Sequence, residues 1–450
     1  MRTDSAAVSV LIHVGKAGGP MATPSSVTAI GNVRGPTLIP PARRSRTVPP
    51  RSVPWFSRWV PYVVTAAILM PGIAGTNWLS RFSFPLVAIL IACAVERTQR
   101  SSARMYAVIF AFYLAIISLA IPVAYVLYAG GSRLGPGTTL TYLVLAPAAF
   151  MLGMRIWDSG RVQAYGRAFL LLSLATVPLA IYEAVTRTKI FPLEDVINPA
   201  RALVGQEHPI TLALLLASAI FTATGLTVGL RLIVSVVLIL GIVATGSSGP
   251  LAVGIVAAIA TVTGLSARAP AARRYVGLLV TAAAIVGTYL SVLVFTPVMA
   301  DTNIDEYSNQ YRGAIYSLLP RILAEAPLGY GVDGLPENMW TVWSNYRGIR
   351  DISISADSEF VFVAGKFGWI GLALLGVGIV IAVLALRSAP VPALMLLSVF
   401  ACGVFVALHA WPSIAAFGFI LLGICVRSLR AGNRRIVPAR RSARGRILPV

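Results

Sequence analysis

Apolar residues run through this chain in blocks of roughly 17–25, separated by short polar turns and without strand-like alternation. Wound as helix, a block of that length matches the hydrocarbon thickness of a bilayer, so the pattern predicts membrane helices rather than a barrel. About twelve such spans can be placed. They cover 59–77, 82–96, 105–129, 138–157, 167–186, 209–227, 231–247, 249–266, 275–296, 357–386 (one long or broken span), 390–409 and 411–427.

The interruptions divide the chain further. Residues 1–57 are rich in Pro, Ser, Thr and Arg ("RGPTLIPPARRSRTVPPRSVP") and lack any hydrophobic period, which predicts a disordered tail. Two connections are long, 187–208 and 297–356, and long loops tend to carry function. The second opens with Tyr311, Ile315, Leu318, Leu319 and Ile322 at helical spacing. That spacing predicts an amphipathic helix, kinked at Pro320, lying on a membrane surface or capping a cavity. The expected organisation is a tail (1–57), spans 1–9 (58–296), a large loop (297–356), spans 10–12 (357–427) and a second basic tail (428–450).

Composition agrees with the pattern: 57% of the 450 residues are hydrophobic and only 12% are charged. The net charge of +21 raises the question of nucleic acid, and its distribution removes it. Eight of the 37 Lys and Arg residues lie in 1–58 and eight more from Arg427 onward. With the N-terminus inside, the inner turns add Arg97, Arg100, Arg104, Arg155, Arg161, Arg167, Arg231, Arg268, Arg273, Arg274 and Arg387. The acids on that side are Asp4, Glu96 and Asp158 alone. This asymmetry predicts a multi-pass protein of the cytoplasmic membrane with both termini cytoplasmic and the long loops outside. The expected fold is therefore all-α: a polytopic transmembrane helix bundle of about 12 spans with one large extracytoplasmic loop carrying an amphipathic helix. Cys93, Cys402 and Cys425 fall in apolar segments without metal-ligand spacing, and their odd number argues against a disulfide framework.

The tenth span begins with charge, "DSEFVFVAGKFGWIG" from Asp357. A carboxylate in a first helical turn is stabilised by unsatisfied N–H groups and the positive end of the dipole, which accounts for one acid. It does not account for Lys366, about two turns deeper. At 100° per residue Glu359 and Lys366 share a face and are placed to compensate one another. Asp357 heads a stripe through Ala364, Gly365 and Gly368, small residues that let another helix approach. Charge on a protein-facing stripe inside a membrane points to a functional site.

The same stretch resembles the segment after the long external loop in the O-antigen ligase and polymerase superfamily. That pattern has a His or Asp, a small polar residue, an aromatic, and two later glycines, matched here by Asp357, Ser358, Phe360, Gly368 and Gly371. Lys366 departs from it, standing where the superfamily has an acid. Arg312 ahead of "PLGYG" at Pro327 resembles the family's arginine and "P-L-x-G-x-G" turn, one residue tighter. "GQEHPITLALLL", with His208 beside Pro209, is similar to the entry into the mid-chain span. "ATGSSGPLA" is similar to the "T-x-S-R" turn, but Gly249 replaces the arginine, which puts that cationic contact in doubt.

The resemblance implies a metal-independent glycosyltransferase on the outer face, with no cofactor. It would polymerise oligosaccharide repeat units carried on a polyprenyl diphosphate, with a chain-length regulator as protein partner. Asp357 would be the base, with Glu359 as its alternative; Arg312, Arg201 and His208 would hold the diphosphate, with Arg321 and Lys366 as secondary candidates. Each also has a structural reading: a helix cap for the acids, an ion pair with Asp305 or Glu306 for Arg312, a loop histidine for His208. Ligase-like transfer to another acceptor and a lipid-glycan flippase are the alternatives. Transporters tend to show internal repeats and polar groups at mid-membrane, whereas here the polar residues gather on one side. A metal-dependent sugar transferase would carry paired carboxylates in the first external loop, and "PGIAGTNWLSR" has none.

Overall fold

The computed structural model describes residues 55–75, 78–96, 141–191, 200–206, 208–267, 269–295, 304–331, 334–336, 339–344, 348–352, 358–408 and 411–435. The chain is mostly helical. The helices are α1 (Val60–Leu69), α2 (Trp78–Val95), α3 (Ala146–Asp158), α4 (Val162–Thr186), α5 (Pro209–Thr222) and α6 (Val228–Ala244). They continue with α7 (Ser248–Val262), α8 (Pro270–Phe295), α9 (Ile304–Glu325), α10 (Glu359–Ala385), α11 (Pro390–Cys402) and α12 (Pro412–Arg435). A short antiparallel hairpin, β1 (Thr341–Ser344) and β2 (Gly348–Asp351), lies between α9 and α10.

Helix starts follow local chemistry: α5, α8, α11 and α12 each open on a proline, whose fixed φ and missing N–H suit a first helical position. Eleven of the twelve hydrophobic segments coincide with a described helix, and 105–129 lies outside the described residues. Among the described residues, three helical stretches are long and apolar enough to cross a membrane: Val162–Thr186, Glu359–Ala385 and Pro412–Arg430. Helix α12 runs to Arg435, into the second predicted tail; residues 1–54 and 436–450 lie outside the described set.

The core forms around α5, whose residues from Thr211 to Phe221 are buried on every side by α4, α6, α7 and α11. Helix α12 packs most extensively on α3. A Cβ at Gly153 would lie 2.0 Å from the Ile420 carbonyl oxygen, and one at Gly423 would lie 2.2 Å from that of Phe150, so glycine sets this close crossing. The outer faces are apolar: Leu232, Ile233, Val236 and Leu240 on α6 and Ile370, Leu374, Val377 and Val380 on α10 are exposed. Such continuous apolar surface suits hydrocarbon rather than water.

Short turns alternate helix directions and sort the polar groups between two ends. One end carries arginines. Arg161 pairs with Glu96 at 2.6 Å and donates to the Ser57 carbonyl at 2.5 Å. Arg427 meets Asp158 at 2.5 Å, and Arg273 donates to the Leu386 carbonyl at 2.8 Å. The other end gathers the close of α1, the segment 200–206, the start of α5, the α6–α7 turn and the α11–α12 connection.

Candidate functional site

Two assemblies meet at that second end. The first is built on Glu183, fully buried in the last turns of α4. Its Oε1 accepts the Ile190 N–H at 3.0 Å, and its Oε2 accepts those of Leu203 at 2.7 Å and Val204 at 3.0 Å. The Lys189 ammonium lies 3.9 Å from the same carboxylate and donates to the Arg201 carbonyl. Burial pushes the Lys189 pKa below its ordinary value, and the Glu183 charge opposes that shift. Val204 adopts a left-handed conformation (φ 47°), which costs a residue with a side chain roughly 1–2 kcal/mol. The two hydrogen bonds from residues 203 and 204 to one carboxylate oxygen offset that cost.

Segment 200–206 is irregular backbone buried among helices, so its polar groups need partners within the protein. Ala202 donates to the Ala244 carbonyl at 3.1 Å, and Gly72 donates to the Gly205 carbonyl at 2.9 Å. Gln206 donates to the Ile68 and Leu69 carbonyls at 2.7 and 2.8 Å and accepts from Ser413 at 3.1 Å. It thereby satisfies two of the carbonyls that the end of α1 leaves without helical partners.

Arg201 projects from this segment onto the α6–α7 turn. Its Nε donates to the Thr245 carbonyl at 2.9 Å and its Nη2 to the Ser247 hydroxyl at 3.0 Å. This is the turn where Gly249 replaces an expected arginine. A Cβ at residue 249 would lie 2.4 Å from the Phe405 ring, so a longer side chain does not fit there, while a guanidinium reaches the turn from residue 201. His208 is the N-cap of α5: its Nδ1 accepts the Ile210 N–H at 3.2 Å. That bond assigns the proton of the neutral ring to Nε2. The ring lies 5.7 Å from that of Trp411.

The second assembly joins the large loop to α10. On α9, Ile315 and Ile322 are buried with Leu335, Trp340, Ile352 and Val361, so the expected amphipathic helix packs its apolar face on the protein. It runs through Pro320 without a break. Tyr316 donates to the Val404 carbonyl at 2.6 Å and accepts from Ser358 at 2.8 Å. Ser358 also caps α10 by accepting the Val361 N–H at 3.4 Å. Glu359 is 2% exposed, and its backbone N–H donates to the Gly403 carbonyl at 2.8 Å. The α11–α12 connection thus touches both assemblies: Gly403 and Val404 face the loop and α10, while Phe405, Trp411 and Ser413 face the α7 start, His208 and Gln206.

Helix α10 is broken where the "PLGYG" segment enters it. Gly368 has φ 56° and ψ −140°, a conformation open only to glycine. The Gly365 and Lys366 carbonyls accept from Tyr330 at 2.7 Å and Gly331 at 2.9 Å, while the Trp369 N–H donates to the Pro327 carbonyl at 2.9 Å. A Cβ at Gly368 would lie 2.0 Å from that Pro327 oxygen, and one at Gly329 would lie 2.3 Å from the Lys366 oxygen. The two motifs therefore require glycine against each other. Lys366 is 2% exposed, its stem beside Gly334 and its ammonium 4.4 Å from the centre of the Phe362 ring. Stacking over an aromatic face stabilises a cation that burial removes from water.

The sequence-derived candidates divide accordingly. Arg201 and His208 lie in or beside the first assembly, and Glu359 and Lys366 are buried in the second. Arg321, on α9, is 70% exposed, paired with Glu325 at 2.7 Å and stacked over Trp340. Asp357 and the side chain of Arg312 lie outside the described residues. Sequence reasoning passed over Glu183, Gln206 and Tyr316. For Glu183 a signal existed, since it is an acid within the span predicted at 167–186. No family model matches the chain, and no curated protein matches it.

Proposed function

We propose that the chain crosses the cytoplasmic membrane about twelve times, with both termini cytoplasmic, and polymerises polyprenyl-diphosphate-linked oligosaccharides on the outer face. The observation that carries this reading is the seating of "PLGYG" in the break of α10. It joins α9, the helix that carries Arg312, to the Ser358–Glu359 start of α10, and the α11–α12 connection links that start to the turn held by Arg201.

In the proposed reaction an acceptor hydroxyl oxygen attacks the anomeric carbon of the donor sugar. The bond from that carbon to the diphosphate oxygen breaks, and its electron pair leaves with the polyprenyl diphosphate. Asp357 takes the hydroxyl proton, with Glu359 as the alternative base. Arg312 stabilises the charge growing on the diphosphate, because a guanidinium matches phosphate oxygens bidentately. Guanidinium groups suffice for that role, so the reading calls for no metal or cofactor.

The test is purified protein with a polyprenyl-diphosphate oligosaccharide, with and without chelator, followed by product length. A ladder of longer glycans is expected, whereas a single addition to a different acceptor indicates ligase-like transfer. Asp357→Asn and Arg312→Ala should each reduce extension by about 10²–10³-fold at normal membrane levels. Unchanged product lengths in both variants, or labelling that places 304–325 on the cytoplasmic side, overturns the proposal.

A further inference from the structure

Glu183 stands where an acid is disfavoured. The last turns of α4 present the negative end of the helix dipole, which favours a lysine or arginine. Its carboxylate is instead compensated by three backbone N–H groups and an ammonium, all from the connection that follows α4. Those contacts reach both sides of residues 192–199. They fix Ile190 and Lys189 on one side and Leu203 and Val204 on the other, with Arg201 two residues from the second anchor.

We infer that Glu183 is a positioning residue for the donor diphosphate: its carboxylate oxygens, by accepting the Leu203 and Val204 N–H groups, fix segment 200–206 so that the Arg201 guanidinium is presented at the Thr245–Ser247 turn. This rests on the transferase reading for the identity of the anion, and on geometry alone for the positioning. Two routes run from the carboxylate to Arg201. One passes through the Leu203 and Val204 N–H groups. The other passes through Lys189, which donates to the Arg201 carbonyl. The oxygens are not equivalent. Oε2 holds residues 203 and 204, whereas Oε1 holds residue 190, so an amide at this position can keep the first pair of bonds and must lose the third.

The experiment uses the full chain with Cys93, Cys402 and Cys425 changed to serine, and reads thiol labelling beside kinetics. Ala202 is fully buried, so Ala202→Cys should resist a maleimide and become at least about tenfold more reactive when Glu183→Ala is added. With a polyprenyl-diphosphate oligosaccharide, Glu183→Ala should raise the donor KM about tenfold with a smaller change in kcat. Arg201→Ala should match it, and the double variant should be no worse than Arg201→Ala alone.

Glu183→Gln is the second variant, informative even if Glu183→Ala does not fold. It should raise the labelling rate of Ile190→Cys, which is half-buried in the parent, leave Ala202→Cys shielded and restore the donor KM to near the parent value. Unchanged labelling of Ala202→Cys in Glu183→Ala, multiplicative losses in the double variant, or a Glu183→Gln variant that exposes residue 202 overturns the positioning role. A parent that extends no glycan rejects the transferase reading and the donor part of this role. Labelling then still decides whether Glu183 holds the segment.

Discussion

Two buried glutamates, one at each end of the helical assembly, solve the same problem differently. Glu96 is met by side chains: the Arg161 guanidinium at 2.6 Å and the Tyr165 hydroxyl at 3.2 Å. Glu183 is met by backbone: three N–H groups of a non-helical segment, with Lys189 farther off. Glu96, just past the end of α2, is tied by side chains to Arg161 at the cap of α4 and to Tyr165 on α4, so the pair joins two helix ends. A carboxylate solvated by N–H groups dictates the path of the chain that supplies them. The arginine-rich end is therefore read as a clasp, and the opposite end as a scaffold for irregular backbone, where function concentrates.

Breaking the clasp should be the most damaging to stability. Arg161→Ala leaves a buried carboxylate without its cation and should cost about 3 kcal/mol, at the low end for a buried pair because the arginine is 19% exposed. Thermal unfolding in detergent should show this, while turnover per folded molecule stays at the parent level. A loss of turnover without a loss of stability would erase the contrast between the ends.

Gly368→Ala acts on the scaffold instead. With a Cβ 2.0 Å from the Pro327 oxygen, "PLGYG" cannot keep its seat, and glycan extension should fall about a hundredfold, equivalent to ~2.7 kcal/mol in the barrier. Helix content by circular dichroism should stay close to the parent value. Gly249→Arg should come next. It overpacks Phe405 at a cost of about 1–3 kcal/mol, and adding Phe405→Ala should recover part of that in the same unfolding assay. Arg321→Ala sharpens the comparison from the other side: an exposed i,i+4 pair and an exposed cation over Trp340 are together worth about 1 kcal/mol, so stability should fall only slightly and product length should be unchanged.

Helix positions were legible because block length and opening prolines are local properties of the sequence. The broken tenth span was legible only as an option, since Gly368 needs its conformation because of Pro327, forty-one residues earlier in the chain. Glu183 and Gln206 were missed for a related reason: most of their partners are main-chain atoms, which every residue has and no motif encodes. His208 was readable as chemistry or as a structural loop histidine, and its role as the α5 cap appears only where its Nδ1 accepts the Ile210 N–H. That residue 249 leaves no room for a side chain depends on Phe405, and that Arg201 reaches the same turn depends on segment 200–206, neither of which spacing alone can bring in.

Helix α5, enclosed on all sides, has a consequence for how the protein is made. Its neighbours α7 and α11 are synthesised after it, α11 some 170 residues later. During that interval α5 has no such wall around it and faces whatever solvent the nascent protein occupies. On the proposed reading of about twelve spans, a helix destined for the interior must first be tolerable to lipid on its whole circumference, a demand that the aliphatic and small residues from Ile210 to Phe221 meet. The same sequence would then serve assembly as well as the finished molecule.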